Sequence, residues 1–423
     1  MLDINFIRKN PEALRQNFLK RGLKERVSEV DEILETDKKS RKLKGELDTL
    51  RSERNSLSEK INQTKKEKGD ISVLVAKVKS LPQEIKAKED EYAALEQHLR
   101  GLLLLIPNIL HESVPQGAGE EDNVTIREVG RKPEYKFTVK SHVDLLEPNK
   151  LADLERAAKI SGARFYFLKN ELVLLEQALI RFALDFLYKK GFTLIEPPYM
   201  MKQEPYEGVT DLKDFEDVMY KIEDEDLFLI ATSEHPIAAM HKDETFAPEE
   251  LPIKYAGVSP CFRKEAGAHG KDTKGIFRVH QFTKVEQFVV CKPEDSWKHF
   301  DELLANAEEI LQHLKLPYRV VAICSGDIGN VASKKIDLEV WMPASGQYRE
   351  VVSCSNVLSY QAARLNIKFG DTYKKEFVHT INSTAIATTR MIVAIMENFQ
   401  NEDGSFNVPE ALHPYLHGIK KIP

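Results

Sequence analysis

The sequence predicts an α+β protein in which a large, mainly antiparallel sheet flanked by helices follows an N-terminal antiparallel coiled-coil arm. Three observations carry this. Apolar positions in the first hundred residues recur at alternating spacings of three and four. Strand-like runs beyond residue 190 follow one another with few helices between them. A stretch rich in proline, glycine and acids separates the two patterns.

The arm comes first in the chain. Ile33, Thr36, Ser40, Leu43, Leu47, Leu50, Arg54, Leu57 and Ile61 keep a strict 3,4 alternation, and residues 63–70 (QTKKEKGD) interrupt it. It resumes through Val78, Leu81, Ile85, Lys88, Tyr92, Leu95 and Leu99. Two heptad segments joined by a short polar turn fold back on one another. At a helical rise of 1.5 Å per residue, arms of about 30–40 residues reach roughly 45–60 Å. Pro82 lies inside the second segment and predicts a helix start or a kink there. A hairpin of this kind has no core beyond its seam, so its use is reach. Residues 38–68 carry eleven Lys or Arg against five Asp or Glu, a basic stretch in a chain of formal net charge −6. On charge alone this is either a solvated surface of mixed sign or a track for a phosphate backbone.

Residues 107–136 have no periodicity and read as a linker. Beyond them, residues 170–190 (NELVLLEQALIRFALDFLYKK) are helix-like, whereas FTLIEPPYM, DLFLIAT, PIKYAGVSPCF, TKVEQFVV and YRVVAIC are strand-like.

Composition narrows the class. A chain of 423 residues exceeds one ordinary core, and 42% hydrophobic with 30% charged residues suits a soluble globular protein. The acidic balance argues against indiscriminate polyanion binding but leaves room for a local basic surface. Cys261, Cys291, Cys324 and Cys354 are at least 30 residues apart, so neither a zinc set nor a disulfide framework is indicated, and buried free thiols are expected. The N-terminus MLDINFIRKNPEAL lacks a basic leader followed by an apolar run. The longest apolar runs, such as Leu102–Ile106, fall short of a membrane span. A cytoplasmic protein with no membrane partner is the expectation.

Chemistry concentrates in residues 259–288 (SPCFRKEAGAHGKDTKGIFRVHQFTKVEQF), a strand, a glycine-rich charged loop and a second strand. Arg263 and Arg278 supply planar guanidinium forks suited to phosphate. Glu265 shares a strand face with Arg263, and Phe282, Lys284 and Glu286 share another. An aromatic surface beside a carboxylate suits a base and an amine. An exposed salt-bridged hairpin would present the same residues, and the pattern alone leaves both open.

The same block closely resembles motif 2 of class II aminoacyl-tRNA synthetases, in the form used by the seryl enzymes. GFTLIEPPYMM (191–201) resembles motif 1, and NSTAIATTRMIVAIMENFQ (382–400) resembles motif 3. ATSEHP (231–236) and EVVSCSN (350–356) resemble the serine-pocket and ATP/metal segments, and the hairpin resembles the tRNA-binding arm. The likeness runs over essentially the whole chain. It implies a helical tRNA-binding domain at 1–106 with its hairpin at about 27–100, the linker at 107–136 and a class II catalytic domain at 137–423.

The resemblance also implies roles. Thr232, Ser233 and Glu234, with Arg263, Glu286 and Thr384, would form the L-serine site. Thr232 and Glu234 would meet the amino group, and Glu286 and Thr384 the hydroxyl. ATP would lie against Arg263, Lys264, Glu265, Arg278, Val279, Phe282, Glu350, Val351, Val352, Ser353 and Arg390. Arg263 would steady charge at the α-phosphate, Glu265 would accept from the adenine amino group, and Phe282 would stack on the ring. Arg263 and Arg390 would be the catalytic pair. Glu350 and Ser353 would hold Mg²⁺ with the nucleotide, and no zinc is expected. His269 and His280 read as loop and structural residues, because this displacement needs charge stabilisation more than a protein base.

The implied reaction is ATP-dependent activation of L-serine and its transfer to tRNA(Ser), and to tRNA(Sec) where present. The enzyme would be a homodimer through Gly191–Met201, each arm reaching across to a tRNA charged on the other subunit. Ser383-Thr384-Ala385-Ile386-Ala387-Thr388-Thr389-Arg390 departs from the glycine-rich motif 3 of many bacterial members and is similar to the archaeal form. Threonyl, prolyl and histidyl enzymes carry a sizeable C-terminal domain, for which little room remains here. An amino-acid:carrier-protein ligase usually lacks the arm, and an inactive RNA-binding paralogue would typically have lost Arg263, Glu265, Glu286, Glu350 and Arg390.

Overall fold

The computed structural model describes residues 1–211, 217–265 and 274–423. The chain divides into two compact units, Met1–Ile106 and Pro107–Pro423.

In the first unit, short helices at Ile4–Lys9 and Pro11–Lys20 precede two long ones, α1 (Glu29–Lys66) and α2 (Ser72–Leu105). The heptad positions Ile33, Thr36, Ser40, Leu43, Leu47 and Leu57 are buried along α1, as are Leu81, Ile85 and Leu99 along α2. Glu46 pairs with Lys88, and Glu53 with Lys77 at 2.6 Å. Numbers rise on one helix as they fall on the other, so the pair is antiparallel. Lys88, a seam position by spacing, lays its stem along the seam and carries its ammonium to Glu46. α2 does not start at Pro82: it begins at Ser72 and runs through the proline. One missing backbone donor is outweighed by burial of Leu81 and Ile85 on either side of it, in a cluster with Leu47 and Leu57. At the base, Arg8 donates two hydrogen bonds to Asp37, at 2.8 and 2.7 Å.

The second unit is built on an eight-stranded sheet. Its strands are β1 (Val124–Val129), β2 (Thr193–Ile195), β3 (Ile253–Phe262), β4 (Gln281–Cys291), β5 (Tyr318–Ala322), β6 (Lys334–Met342), β7 (Gln347–Leu358) and β8 (His379–Ala387). They lie in the order β1-β5-β6-β7-β8-β4-β3-β2. Among the described residues every pairing is antiparallel except β2 with β3. Helices α3 (Glu171–Lys189), α4 (Ser296–His313) and α5 (Thr388–Asn398) pack Leu175, Leu179, Phe300, Leu303 and Ile392 against Val285, Val289, Leu338 and Val352 of the sheet.

The alternation of β4 sets which side is functional. Val285, Val289 and Cys291 enter the helix-covered core, and between them Gln287 donates to the Leu303 carbonyl at 3.2 Å. Phe282, Lys284 and Glu286 therefore face the other way, into a cleft.

Residues 107–136, expected as a linker, are partly built into this unit. Asn108 donates to the carbonyls of Val331 and Val357, at 2.9 and 2.7 Å. Leu110 and Val114 pack with Val321 and Ile323, and β1 is the edge strand. An edge strand exposed on both faces needs no apolar side, so periodicity does not reveal it. Among the described residues no helix is long and apolar enough to cross a membrane.

Candidate active site

A cleft of about 550 Å³ opens on the face of the sheet opposite its main helical core. It is lined by ten of the residues expected from sequence: Thr232, Glu234, Arg263, Phe282, Glu286, Glu350, Val351, Ser353, Thr384 and Arg390. They come from the residue that follows β3, from β4, β7 and β8, from the start of α5 and from the segment at 231–234.

One end is a set of paired polar groups. Glu286 is 1% exposed and meets the Lys284 ammonium at 2.5 Å, while the Thr384 hydroxyl donates to the same carboxylate at 3.3 Å. Glu234 accepts from the Gln361 amide at 2.9 Å and from the Asn382 amide at 2.5 Å. Burial first, and then the neighbouring Glu286 carboxylate, push the Glu234 carboxyl up to about 7. Asn382 Oδ1 is buried without a donor among the described residues. His235 stays neutral: burial, then Lys284 and Arg263, pull it down to about 3, and its Nδ1 lies 3.1 Å from the Tyr206 hydroxyl.

Arg263 joins this end to the next. Its Nε donates to the Ala231 carbonyl at 3.2 Å, and its guanidinium stands 5.3 Å from the centre of the Phe282 ring. That leaves the terminal nitrogens of the fork facing the cleft.

At the other end Arg390 donates to the Glu350 carbonyl at 3.0 Å and pairs with its carboxylate at 3.2 Å. Burial alone would raise the Glu350 carboxyl, but Arg390, Lys335 and Arg263 hold it well below the usual range. Glu350 and Ser353 share this face because β7 bulges. Opposite β6, Leu338 pairs with Val352 and the next residue, Glu339, pairs with Glu350, which leaves Val351 as an extra residue. Asp337 sits across from Ser353 in the same register, its carboxylate beside the Ser353 side chain. Burial pushes the Asp337 carboxyl up, against the pull of Lys335.

Six expected residues lie outside the cleft lining. Val352 and Val279 belong to the helix-side core. Ser233 is buried and donates its hydroxyl to the Gly257 carbonyl at 3.3 Å, so it supports the loop rather than facing a ligand. Arg278 pairs with Glu265 at 3.2 Å, and Lys264 donates its backbone N–H to Val218. His280 donates from Nδ1 to the Arg263 carbonyl at 2.8 Å. His269 lies outside the described residues. The sequence reading did not assign Lys284, Asn382, Lys335, Asp337 or Gln361 to the site. Strand alternation offered a signal for two of them: Lys284 lies between Phe282 and Glu286, and Asn382 two residues before Thr384. Gln361 comes from a separate helix and left no local signal.

Glu350 and Ser353 present oxygen donors on one face, the chemistry a hard divalent cation takes when nucleotide and water complete its shell.

Residues 1–110 match the family described as "Seryl-tRNA synthetase N-terminal domain", and residues 219–399 match "tRNA synthetase class II core domain (G, H, P, S and T)". The serine–tRNA ligase of Methanoregula boonei is 54% identical over 420 residues, 99% of each chain. The chain belongs to the seryl-tRNA synthetase family. A solved seryl-tRNA synthetase from Pyrococcus horikoshii, complexed with ATP, superposes with a TM-score of 0.92 at 50% identity, covering 100% of this chain and 99% of that one. A cytoplasmic serine–tRNA ligase from Naegleria fowleri, in complex with AMP, gives 0.87 at 41% identity over 100% and 98%. In this serine–tRNA ligase of class II, the class II core match falls in the second unit, and the first unit carries the helical arm.

Proposed function

We propose that the cleft is where this serine–tRNA ligase makes seryl-adenylate, with L-serine at the Glu234–Glu286 end and ATP between Phe282 and Arg390. The observation that carries this reading is the convergence in one cleft of two buried carboxylates, an Arg fork and a second Arg. A zwitterionic amino acid needs an acceptor for its ammonium and a cation for its carboxylate. Glu234 with Thr232 supplies the first, and Arg263 supplies the second.

A serine carboxylate oxygen attacks the α-phosphorus, forming the mixed anhydride, and the bond to pyrophosphate breaks with its electron pair leaving on that group. Arg263 neutralises charge on the α-phosphoryl oxygens as it develops, and Arg390 steadies the departing phosphates. A divalent cation held by Glu350 and Ser353 would supply further neutralisation of the phosphates when bound. The 3′-terminal ribose hydroxyl of tRNA then attacks the serine carbonyl, and AMP departs. Glu286 and Thr384 read the side-chain hydroxyl: alanine would leave them buried without a partner, a costly exchange.

The tRNA partner is assigned to the arm. All eleven Lys and Arg of residues 38–68 are exposed, which supports phosphate tracking along a tRNA(Ser) or, where one is present, a tRNA(Sec). Leu194, Tyr199 and Met200 of the motif 1 segment are exposed apolar residues. They support a homodimer through Gly191–Met201 in a cytoplasmic enzyme. A non-hydrolysable seryl-adenylate analogue tests the site by calorimetry. It should bind the wild type tightly and lose about a hundredfold in Glu286→Gln and Arg263→Ala. Equal affinity for all three proteins would place serine elsewhere.

A further inference from the structure

We propose that Asp337 is a positioning residue for the cation side of the site, taking the Ser353 hydroxyl hydrogen so that the oxygen's lone pairs face the nucleotide phosphates. The inference rests on the reading that Glu350 and Ser353 hold the cation that accompanies ATP, and it adds what makes Ser353 competent there. A serine hydroxyl carries one hydrogen and two lone pairs. To ligate a cation, the hydrogen must be directed elsewhere, or it points at the metal and repels it.

The structure provides the acceptor. Asp337 on β6 lies directly across from Ser353 on β7, on the same face of the sheet, with its carboxylate within reach of the Ser353 hydroxyl. Its side chain is 8% exposed and takes no part in the cleft lining, so it does not touch nucleotide. Its other constraint is loose. Lys335 stands 3.8 Å from Oδ2, beyond hydrogen-bonding distance, and Oδ1 is buried with no donor among the described residues. A buried carboxylate so poorly satisfied is expensive for the fold. Its oxygens are free to follow the Ser353 hydroxyl rather than being committed to a structural network, as Glu339 is to Arg319 at 2.6 Å. Partners behind a metal ligand typically alter metal affinity by about 10–100-fold when removed.

The test compares the affinity of AMP-PNP for the full chain in excess Mn²⁺ with its affinity in EDTA. The ratio of the two reports the cation's contribution, and the EDTA value reports the integrity of the nucleotide site. Asp337→Leu, which removes the acceptor at similar volume, should lower the ratio about tenfold and leave the EDTA affinity unchanged. Asp337→Asn retains an acceptor oxygen and should recover most of that ratio. An unchanged ratio in the Leu variant, an equal loss with and without Mn²⁺, or an Asn variant as impaired as the Leu variant would overturn the proposal. Glu350→Gln separates it from the underlying reading. If that change also leaves the ratio intact, the cation is not held at Glu350, and both fail; if only Asp337→Leu is silent, the positioning role alone fails.

Discussion

The Lys284 ammonium lies 2.5 Å from the Glu286 carboxylate, with side-chain exposures of 8% and 1%. Two residues apart on one strand, they form a buried ion pair in the cleft, at the end proposed for serine. Removing one member of such a pair leaves an uncompensated buried charge, at a cost of about 3–5 kcal/mol. Lys284→Met should therefore misplace Glu286. If about 2 kcal/mol of the cost appears in activation, kcat/KM for serine falls roughly 30-fold. Steady-state pyrophosphate exchange at varied serine and saturating ATP measures this. A change of less than twofold would mean that the pair is only structural.

Glu234 ties serine binding to pH. Its carboxyl is pushed up to about 7 in the ligand-free protein, so near pH 7 about half the molecules carry a proton there. A bound ammonium favours the ionised form and expels that proton. Calorimetry of serine binding at pH 7 in buffers of different ionisation enthalpy should show about half a proton released per serine, falling toward zero by about pH 8, below the range where free serine loses its own ammonium proton. Glu234→Gln should abolish the release. A wild-type protein that takes up protons would contradict the assignment of Glu234 to the ammonium.

The base of the arm has its own test. Asp37 is buried, and Arg8 reaches it with two hydrogen bonds, at 2.8 and 2.7 Å. Arg8→Ala leaves Arg41 as the remaining cation on that carboxylate among the described residues, at 3.0 Å, and should destabilise the region by about 2 kcal/mol. Amide hydrogen exchange in helix Ile4–Lys9 should accelerate roughly 30-fold. Unaltered exchange would show that the apolar seam alone holds this helix.

Lys60, Lys65 and Lys66 lie exposed toward the tip of α1. Changing all three to Gln should weaken tRNA(Ser) binding and flatten its log–log salt dependence by about one unit or more. Serine-dependent pyrophosphate exchange without tRNA should not change. An unaltered salt slope would move the RNA contact off this stretch.

Much of this site was legible in the sequence, because strand alternation is local. VHQFTKVEQF places Phe282, Lys284 and Glu286 on one face, and the sheet keeps them there. What periodicity hides depends on distant partners. Glu350 and Ser353 are an odd number of residues apart and belong on opposite faces of a regular strand; the bulge at Val351, set by the pairing with β6, brings them together. Gln361 reaches Glu234 across 127 positions in sequence, and Asp337 matters only through its cross-strand neighbour. Pro82 misled in the opposite direction: of the helix start or kink that its local penalty predicts, the start is overridden by the seam. β1 escaped notice because an edge strand has no face to bury.

Amino-acid-dependent ATP–pyrophosphate exchange without tRNA, run against all twenty amino acids, tests the central claim most directly. Exchange stimulated by serine alone and lost in Arg263→Ala is the predicted result. Exchange stimulated by another amino acid, or persisting in Arg263→Ala, would contradict the assignment of this cleft to serine activation.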